Sequence, residues 1–169
     1  FIDSKKRSYT NFDIARNDLE NVLIKSVKSQ LISDVPIGSF LSGGIDSSLI
    51  TRIMTTQSDT KIKSFTIGFT ENDFDESKYA KEISQIIGTE HYEKVLSPTE
   101  ALSLVPTLSR VYDEPFADSS QIPTLLLSQF TKSKVKVALS GDGGDELFGG
   151  YNRYFWMNKI WKFFSWLPF

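Results

Sequence analysis

The sequence predicts a doubly wound α/β fold, a parallel sheet with helices on both faces, and three observations carry that reading. Short apolar runs alternate with longer stretches of helical periodicity. Glycine-rich turns stand at the ends of two of those runs, in "LSGGIDSSLI" (41–50) and "LSGDGGDELFGGY" (139–151). No internal repeat, low-complexity tract or obvious linker interrupts the 169 residues, a length that suits one domain with a real core.

Each element has a local reason. Phe12, Ala15, Leu19, Val22, Leu23, Val27 and Leu31 recur at helical spacing, with Thr10 or Asn11 available as cap. "VPIGSFL" (35–41) is the first strand, and a helix follows over 47–56. "KIKSFTIGF" (61–69) is the second strand. The stretch 74–88 is a helix with a carboxylate at its start and Gly88 as its stop. "HYEKVL" (91–96) is a short third strand, and helices follow over 98–111 and 120–132. With Ser120 as N-cap, Pro123 falls in the first turn, where its missing N–H costs no bond. "VKVALS" (135–140) is a fourth strand, apolar enough to be central. Strands separated by helices run parallel and are covered on both faces.

Composition narrows the context. The chain is 40% hydrophobic and 24% charged, as soluble globular proteins are. A net charge of -2 gives no basic field for nucleic acid or an anionic membrane, and neither is expected as a partner. The absence of cysteine excludes disulfides, thiolate metal sites and thiol catalysis within these 169 residues. It is compatible with a reducing cytoplasm, the expected location. Lys5, Lys6 and Arg7 are followed by no apolar run and do not begin a signal peptide. "YFWMNKIWKFFSWLPF" (154–169) holds all three tryptophans, but it is too short to span a bilayer and carries Lys159 and Lys162. It reads as a helix whose aromatics pack against a partner, and a homo-oligomer is expected.

The opening "SGGIDSS" ends a strand and starts a helix, the place where open α/β sheets bind ligands. Its glycines let backbone N–H groups approach an anion, and Ser42, Ser47 and Ser48 add hydroxyl donors. This is a phosphate cradle. GxxxxGK[ST] and GxGxxG are both absent, so it is neither a Walker A loop nor a dinucleotide fingerprint. Asp46 would repel phosphates unless a divalent cation lay between, and Mg²⁺ resolves the conflict. A plain glycine turn with Asp46 as a helix-start carboxylate is the bland alternative. The stretch from Ser140 repeats the logic with Asp142, Asp145 and Glu146, so Asp46 and Asp145 could share Mg²⁺ across one crevice. Here the bland alternative is an acidic solvated turn.

"SGGIDSS" resembles the pyrophosphate loop of the PP-loop ATP pyrophosphatases, whose fold is of the adenine nucleotide alpha hydrolase type. Together with "SFTIGF" and "LSGDGGDELFGGYNRY" it resembles the synthetase domain of glutamine-hydrolysing asparagine synthetases, from about Asp34 to Tyr154. The resemblance implies that Ser42, Gly43, Gly44, Asp46, Ser47 and Ser48 hold pyrophosphate. It implies that the backbones of Phe40 and Ile67 border adenine, and that Ser140 and Gly141 complete the ATP site. Asp46 and Asp145 match the acidic magnesium positions. Asp142 stands where well-known relatives carry glutamate, and its shorter reach puts a role in the amide-forming step in doubt. The implied chemistry is attack of the aspartate β-carboxylate on the α-phosphorus of ATP, then displacement of AMP by glutamine-derived ammonia. Release of pyrophosphate requires positive potential around the β and γ phosphates, which oriented N–H groups and Mg²⁺ supply.

The same resemblance reads residues 1–169 as the nucleotide half of a synthetase domain, without the N-terminal glutaminase domain or the C-terminal remainder. On that reading the isolated chain binds adenine nucleotide weakly and makes no asparagine. Two rivals stand beside it: a PP-loop amidotransferase or β-lactam-type synthetase acting on another carboxylate, and a non-catalytic nucleotide-binding module. His91, the only histidine, reads as packing or surface. "DEPFADSS" (113–120) reads as a proline turn and helix cap, with binding of an acceptor amino group as the functional alternative.

Overall fold

The computed structural model describes residues 9, 11–70, 75–114 and 117–164. Four strands, β1 (Ile37–Phe40), β2 (Lys63–Phe69), β3 (Glu90–Leu96) and β4 (Val137–Leu139), alternate with helices. The helices are α1 (Phe12–Gln30), α2 (Ile45–Gln57), α3 (Ser77–Ile87), α4 (Pro98–Val111), α5 (Gln121–Lys132), α6 (Gly144–Phe148) and α7 (Asn152–Phe164). The strands form one sheet in the order β3-β2-β1-β4, and every pairing is parallel. From β1 the chain moves outward to β2 and β3, then returns to place β4 on the other side of β1. The switch in strand order therefore lies between β1 and β4, where such sheets open a crevice at their carboxyl ends.

Helix boundaries follow their capping chemistry. Asn11 Oδ1 accepts the Asp13 N–H at 2.7 Å and begins α1, while the alternative cap Thr10 lies outside the described residues. Asp75 Oδ1 accepts the Ser77 N–H at 3.1 Å, and Gly88 at φ 87° ends α3 in the left-handed region. Phe74, where this helix was expected to begin, lies outside the described residues. Ser97 and Glu100 form a reciprocal capping box ahead of α4. Ser120 occupies the N-cap of α5 but is itself αR and makes no side-chain cap bond. Asp118 carries that turn instead, since its Oδ1 accepts the Ser120 N–H at 2.8 Å.

Helices pack on both faces. Val27 of α1 and Ile53 and Met54 of α2 form a buried cluster with Ile62, against which Ile37 and Leu139 of the sheet pack. Ser39 and Thr51 hydroxyls, 2.7 Å apart, join β1 to α2 within that layer. On the opposite face Phe65 is fully buried, stacked on Tyr92 at 5.3 Å and edge-on to Phe130 of α5 at 6.0 Å. One expectation is corrected. β4 is not central among the described strands: it pairs with β1 alone, and Val137 is exposed despite the apolar sequence around it. No helix among the described residues is long and apolar enough to cross a membrane.

Candidate functional site

The first loop begins where β1 lets go of the sheet. The Leu41 N–H still donates to the Phe65 carbonyl at 2.9 Å, and the Leu41 carbonyl accepts the Thr66 hydroxyl. The exposed Ser42 is tied to the start of α2, with its N–H donating to Ser47 Oγ at 3.2 Å and its Oγ 3.0 Å from the same hydroxyl. Gly43 has φ 85°, and a β-carbon there would lie 2.8 Å from Tyr79 Cβ and 3.0 Å from the Ala80 nitrogen. It permits a turn and a close approach to α3 at once. Gly44 is the N-cap of α2 at an ordinary φ of -70°, and its carbonyl accepts the Ser48 hydroxyl at 2.6 Å. The serines thus hold the loop's own shape.

The second loop is tied just as locally. Ser140 Oγ donates to Asp142 Oδ2 at 3.0 Å, and Gly143 at φ 88° starts the short helix α6. The Tyr151 hydroxyl donates to Glu146 Oε1 at 2.8 Å, which holds Glu146 below the usual carboxylate range and pushes Tyr151 up. The Arg153 guanidinium lies 4.1 Å from the centre of the Tyr151 ring.

The two loops touch. A β-carbon on Gly141 would stand 2.6 Å from the Ser47 nitrogen, and one on Gly144 would stand 2.6 Å from Asp46 Oδ2. Between them opens a cleft of about 650 Å³ at the switch point. Phe40, Ser42, Asp46 and Ser47 line one rim, and Ser140, Gly141, Asp142 and Asp145 line the other. An adjoining cavity of about 640 Å³ shares Ser42 and is lined by Ile67. Gly43, Gly44 and Ser48 line neither; they shape the turn and the start of α2.

Sequence reasoning missed the wall supplied by α5. Ser120, Thr124 and Leu127 line both cavities, an i, i+4, i+7 stripe that helical periodicity could have shown. Tyr112, Gln121 and Tyr151 were missed as cleft residues too, whereas Asp118, of the 113–120 stretch with acceptor binding as its functional alternative, does line the cleft. Hydrogen bonding from Ser120, chiefly its backbone N–H, holds Asp118 below the usual carboxylate range. Asp113 and Glu114 lie elsewhere, in a pocket of about 370 Å³ beside Tyr112 and Gln121, and Pro115 and Phe116 lie outside the described residues.

Among the described residues, no three histidines or carboxylates converge as a protein-only metal cage. Mg²⁺ does not need one, because it binds through one or two carboxylates and takes its remaining ligands from phosphate and water. Asp46 and Asp145 on opposite rims of the cleft fit that donor set.

This sheet and its paired loops place the chain among doubly wound parallel α/β proteins. An NMN synthetase from Francisella tularensis shares the fold with a TM-score of 0.56 and 16% identity, over 82% of this chain and 59% of that one. An ammonia-dependent NAD synthetase from Campylobacter jejuni matches with a TM-score of 0.53 and 16% identity, over 80% of this chain and 60% of that one. The sequence model of asparagine synthase matches residues 18–169, and the chain belongs to that family. Asparagine synthetase [glutamine-hydrolyzing] 1 of Bacillus subtilis is 41% identical over 86% of this chain and 23% of its own length. A putative asparagine synthetase [glutamine-hydrolyzing] 2 of Methanocaldococcus jannaschii is 42% identical over 78% of this chain and 26% of its own. The chain thus spans about a quarter of the length of these curated relatives.

Proposed function

We propose that residues 1–169 are the nucleotide-binding half of the synthetase domain of an ATP-dependent amide ligase that makes asparagine. The observation that carries the proposal is the meeting of two glycine-and-carboxylate loops across the switch point, with Gly144 against the carboxylate of Asp46. A cleft with a carboxylate on each rim suits a polyphosphate carried with a divalent cation better than a bare anion. Relatives named for asparagine synthesis supply the acceptor.

The substrate carboxylate oxygen attacks the α-phosphorus of ATP, and the bond from that phosphorus to the bridging oxygen of pyrophosphate breaks. Ammonia, released from glutamine in a glutaminase domain, then attacks the acyl carbon. AMP leaves, the nitrogen loses a proton, and the amide remains. The Ser42, Gly44 and Ser48 N–H groups are spent within the turn, and the remaining backbone N–H groups of Gly43, Ile45 and Asp46 favour the growing charge on the leaving pyrophosphate. Ser47 holds Ser42 and Gly44 in that turn, so the donors need no rearrangement when charge develops. Mg²⁺ held by Asp46 and Asp145 would add neutralisation of the β and γ phosphates. The Phe40 and Ile67 backbones border the adenine, and Ser140 and Gly141 close the opposite wall. Asp142, whose carboxylate accepts the Ser140 hydroxyl, is the residue assigned to the amide-forming step. A cytoplasmic homo-oligomer is part of the proposal.

The test is calorimetric binding of ATP and inorganic pyrophosphate to the chain with and without Mg²⁺, followed by assays of pyrophosphate release in the synthetase containing it. Mg²⁺-dependent binding of both ligands and release stimulated by aspartate are the expected results. No binding of either ligand would overturn the proposal, and stimulation by a different carboxylate would move it to another amide- or lactam-forming synthetase.

A further inference from the structure

The cavity adjoining the phosphate cleft contains one charged side chain, Glu76. Its other walls are apolar or hydroxylic: Phe65, Ile67 and Leu127 on one hand, Ser119 and Thr124 on the other. Glu76 stands at the N-cap of α3 yet makes no side-chain cap bond; Asp75 accepts the Ser77 N–H in its place. Among the described residues no hydrogen bond or ion pair engages the Glu76 carboxylate. An ionised carboxylate only accepts hydrogen bonds, and this one borders a largely apolar cavity of about 640 Å³.

We propose that Glu76 is a specificity-determining residue for the nucleotide base, accepting a hydrogen bond from the exocyclic amino group of adenine. The inference rests on the nucleotide reading above and adds to it a side chain that reads the base. Adenine presents an amino donor at the position where guanine presents a carbonyl acceptor. At the base edge that carries N7, a carboxylate attracts the first and repels the second, while the N1–H and N2 donors of guanine lie on the other edge. The site therefore discriminates by a lone-pair clash as well as by an attractive contact. The cost of an anion near a polyphosphate is limited by position, because Glu76 lines the adjoining cavity and not the cleft that holds Asp46 and Asp145.

The experiment compares ATP, GTP and inorganic pyrophosphate binding to the chain and its Glu76→Gln variant by calorimetry with Mg²⁺. Glutamine keeps the size, loses the charge and can turn its amide to donate. ATP affinity should fall about tenfold, the scale of a lost charge-assisted hydrogen bond. GTP affinity should rise, and pyrophosphate affinity should hold. Removing a negative charge that merely repels phosphates would strengthen all three ligands together, so an unchanged ATP-to-GTP ratio with pyrophosphate still bound overturns this inference alone. Failure of both proteins to bind ATP and pyrophosphate overturns the nucleotide reading and this inference with it. Glu76→Ala should also lose the preference for ATP, and thermal unfolding of both variants should match the parent because the side chain is exposed and unengaged among the described residues.

Discussion

Gly144 sits against the Asp46 carboxylate so closely that a β-carbon would come within 2.6 Å of Oδ2, while Gly141 stands equally close to the Ser47 nitrogen. Neither approach can yield fully. The Asp46 carboxylate can rotate, but its β-carbon, 2.9 Å from the added one, is fixed on α2, as are the Ser47 nitrogen and α-carbon facing Gly141. Gly144→Ala and Gly141→Ala should each cost about 1–3 kcal/mol through overpacking. Gly144→Ala should in addition displace the Asp46 carboxylate and weaken Mg²⁺-dependent nucleotide binding. Urea midpoints and ATP titrations of the two variants check both outcomes. Unchanged stability in both would mean that the loops are not held together as described.

The glycine pair of the first loop divides its work. Gly43 combines φ 85° with backbone and side-chain atoms of α3 within about 3 Å of a would-be β-carbon. Gly44 has φ -70° and would meet only Ser42 Oγ, at 3.3 Å. Gly43→Ala should lose about 1–3 kcal/mol from strain and overlap, and Gly44→Ala less than about 1 kcal/mol. Thermal melts decide it, and a Gly44 variant that unfolds as readily as the Gly43 variant would contradict the assignment.

Asp46→Asn and Asp145→Asn test the metal. Neither carboxylate forms an ion pair among the described residues, so folding should be unaffected. Mg²⁺ should no longer strengthen ATP binding, and pyrophosphate release by the synthetase containing these residues should fall by at least about 10². Undiminished Mg²⁺ dependence in either variant removes that residue from the site.

The sheet and both loops were legible in the sequence because parallel strands advertise themselves as apolar runs, and because glycines beside carboxylates have few structural uses. What escaped had physical reasons. The apolar run Val137–Leu139 read as central, yet strand order depends on which neighbours pair, and one sequence does not encode that locally. Ser120, Thr124 and Leu127 looked like ordinary helix residues until α5 folded over the carboxyl ends of β1 and β2. The carboxylate expected at the start of the 74–88 helix is Asp75, which leaves the adjacent Glu76 free of capping. Asp142 was legible as part of the loop, but its hydrogen bond to Ser140 belongs to the turn and leaves its catalytic reach to experiment.

The aromatic face of α7 gives a prediction about association. Phe155, Trp156, Ile160 and Trp161 are exposed, while residues 165–169 of the expected helix lie outside the described residues. Apolar surface gains about 25 cal/mol per Å² when removed from water, so this face favours contact with another surface. Sedimentation should show concentration-dependent self-association, reduced by Trp156→Ser with Trp161→Ser. A chain that stays monomeric at high concentration would remove α7 as an oligomer contact.

His91 gives the fold a defined pH dependence. Its Nδ1 lies 2.9 Å from Ser64 Oγ, which in turn lies 2.7 Å from Thr89 Oγ1, and its Nε2 is buried without a partner among the described residues. Desolvation holds the imidazole below its ordinary value, with Glu93 opposing and Lys81 assisting. The folded protein thus binds a proton less readily than the unfolded chain. Stability from the neutral ring is fully present above the unfolded value of about 6.5, and it is lost as pH falls from there through the folded value. Urea midpoints should decline between pH 7 and pH 5 more steeply in the parent than in His91→Gln, whose amide can still bond Ser64 but does not titrate. Parallel slopes for the two proteins would show that carboxylate protonation alone sets the acid sensitivity, and that His91 contributes packing without charge linkage.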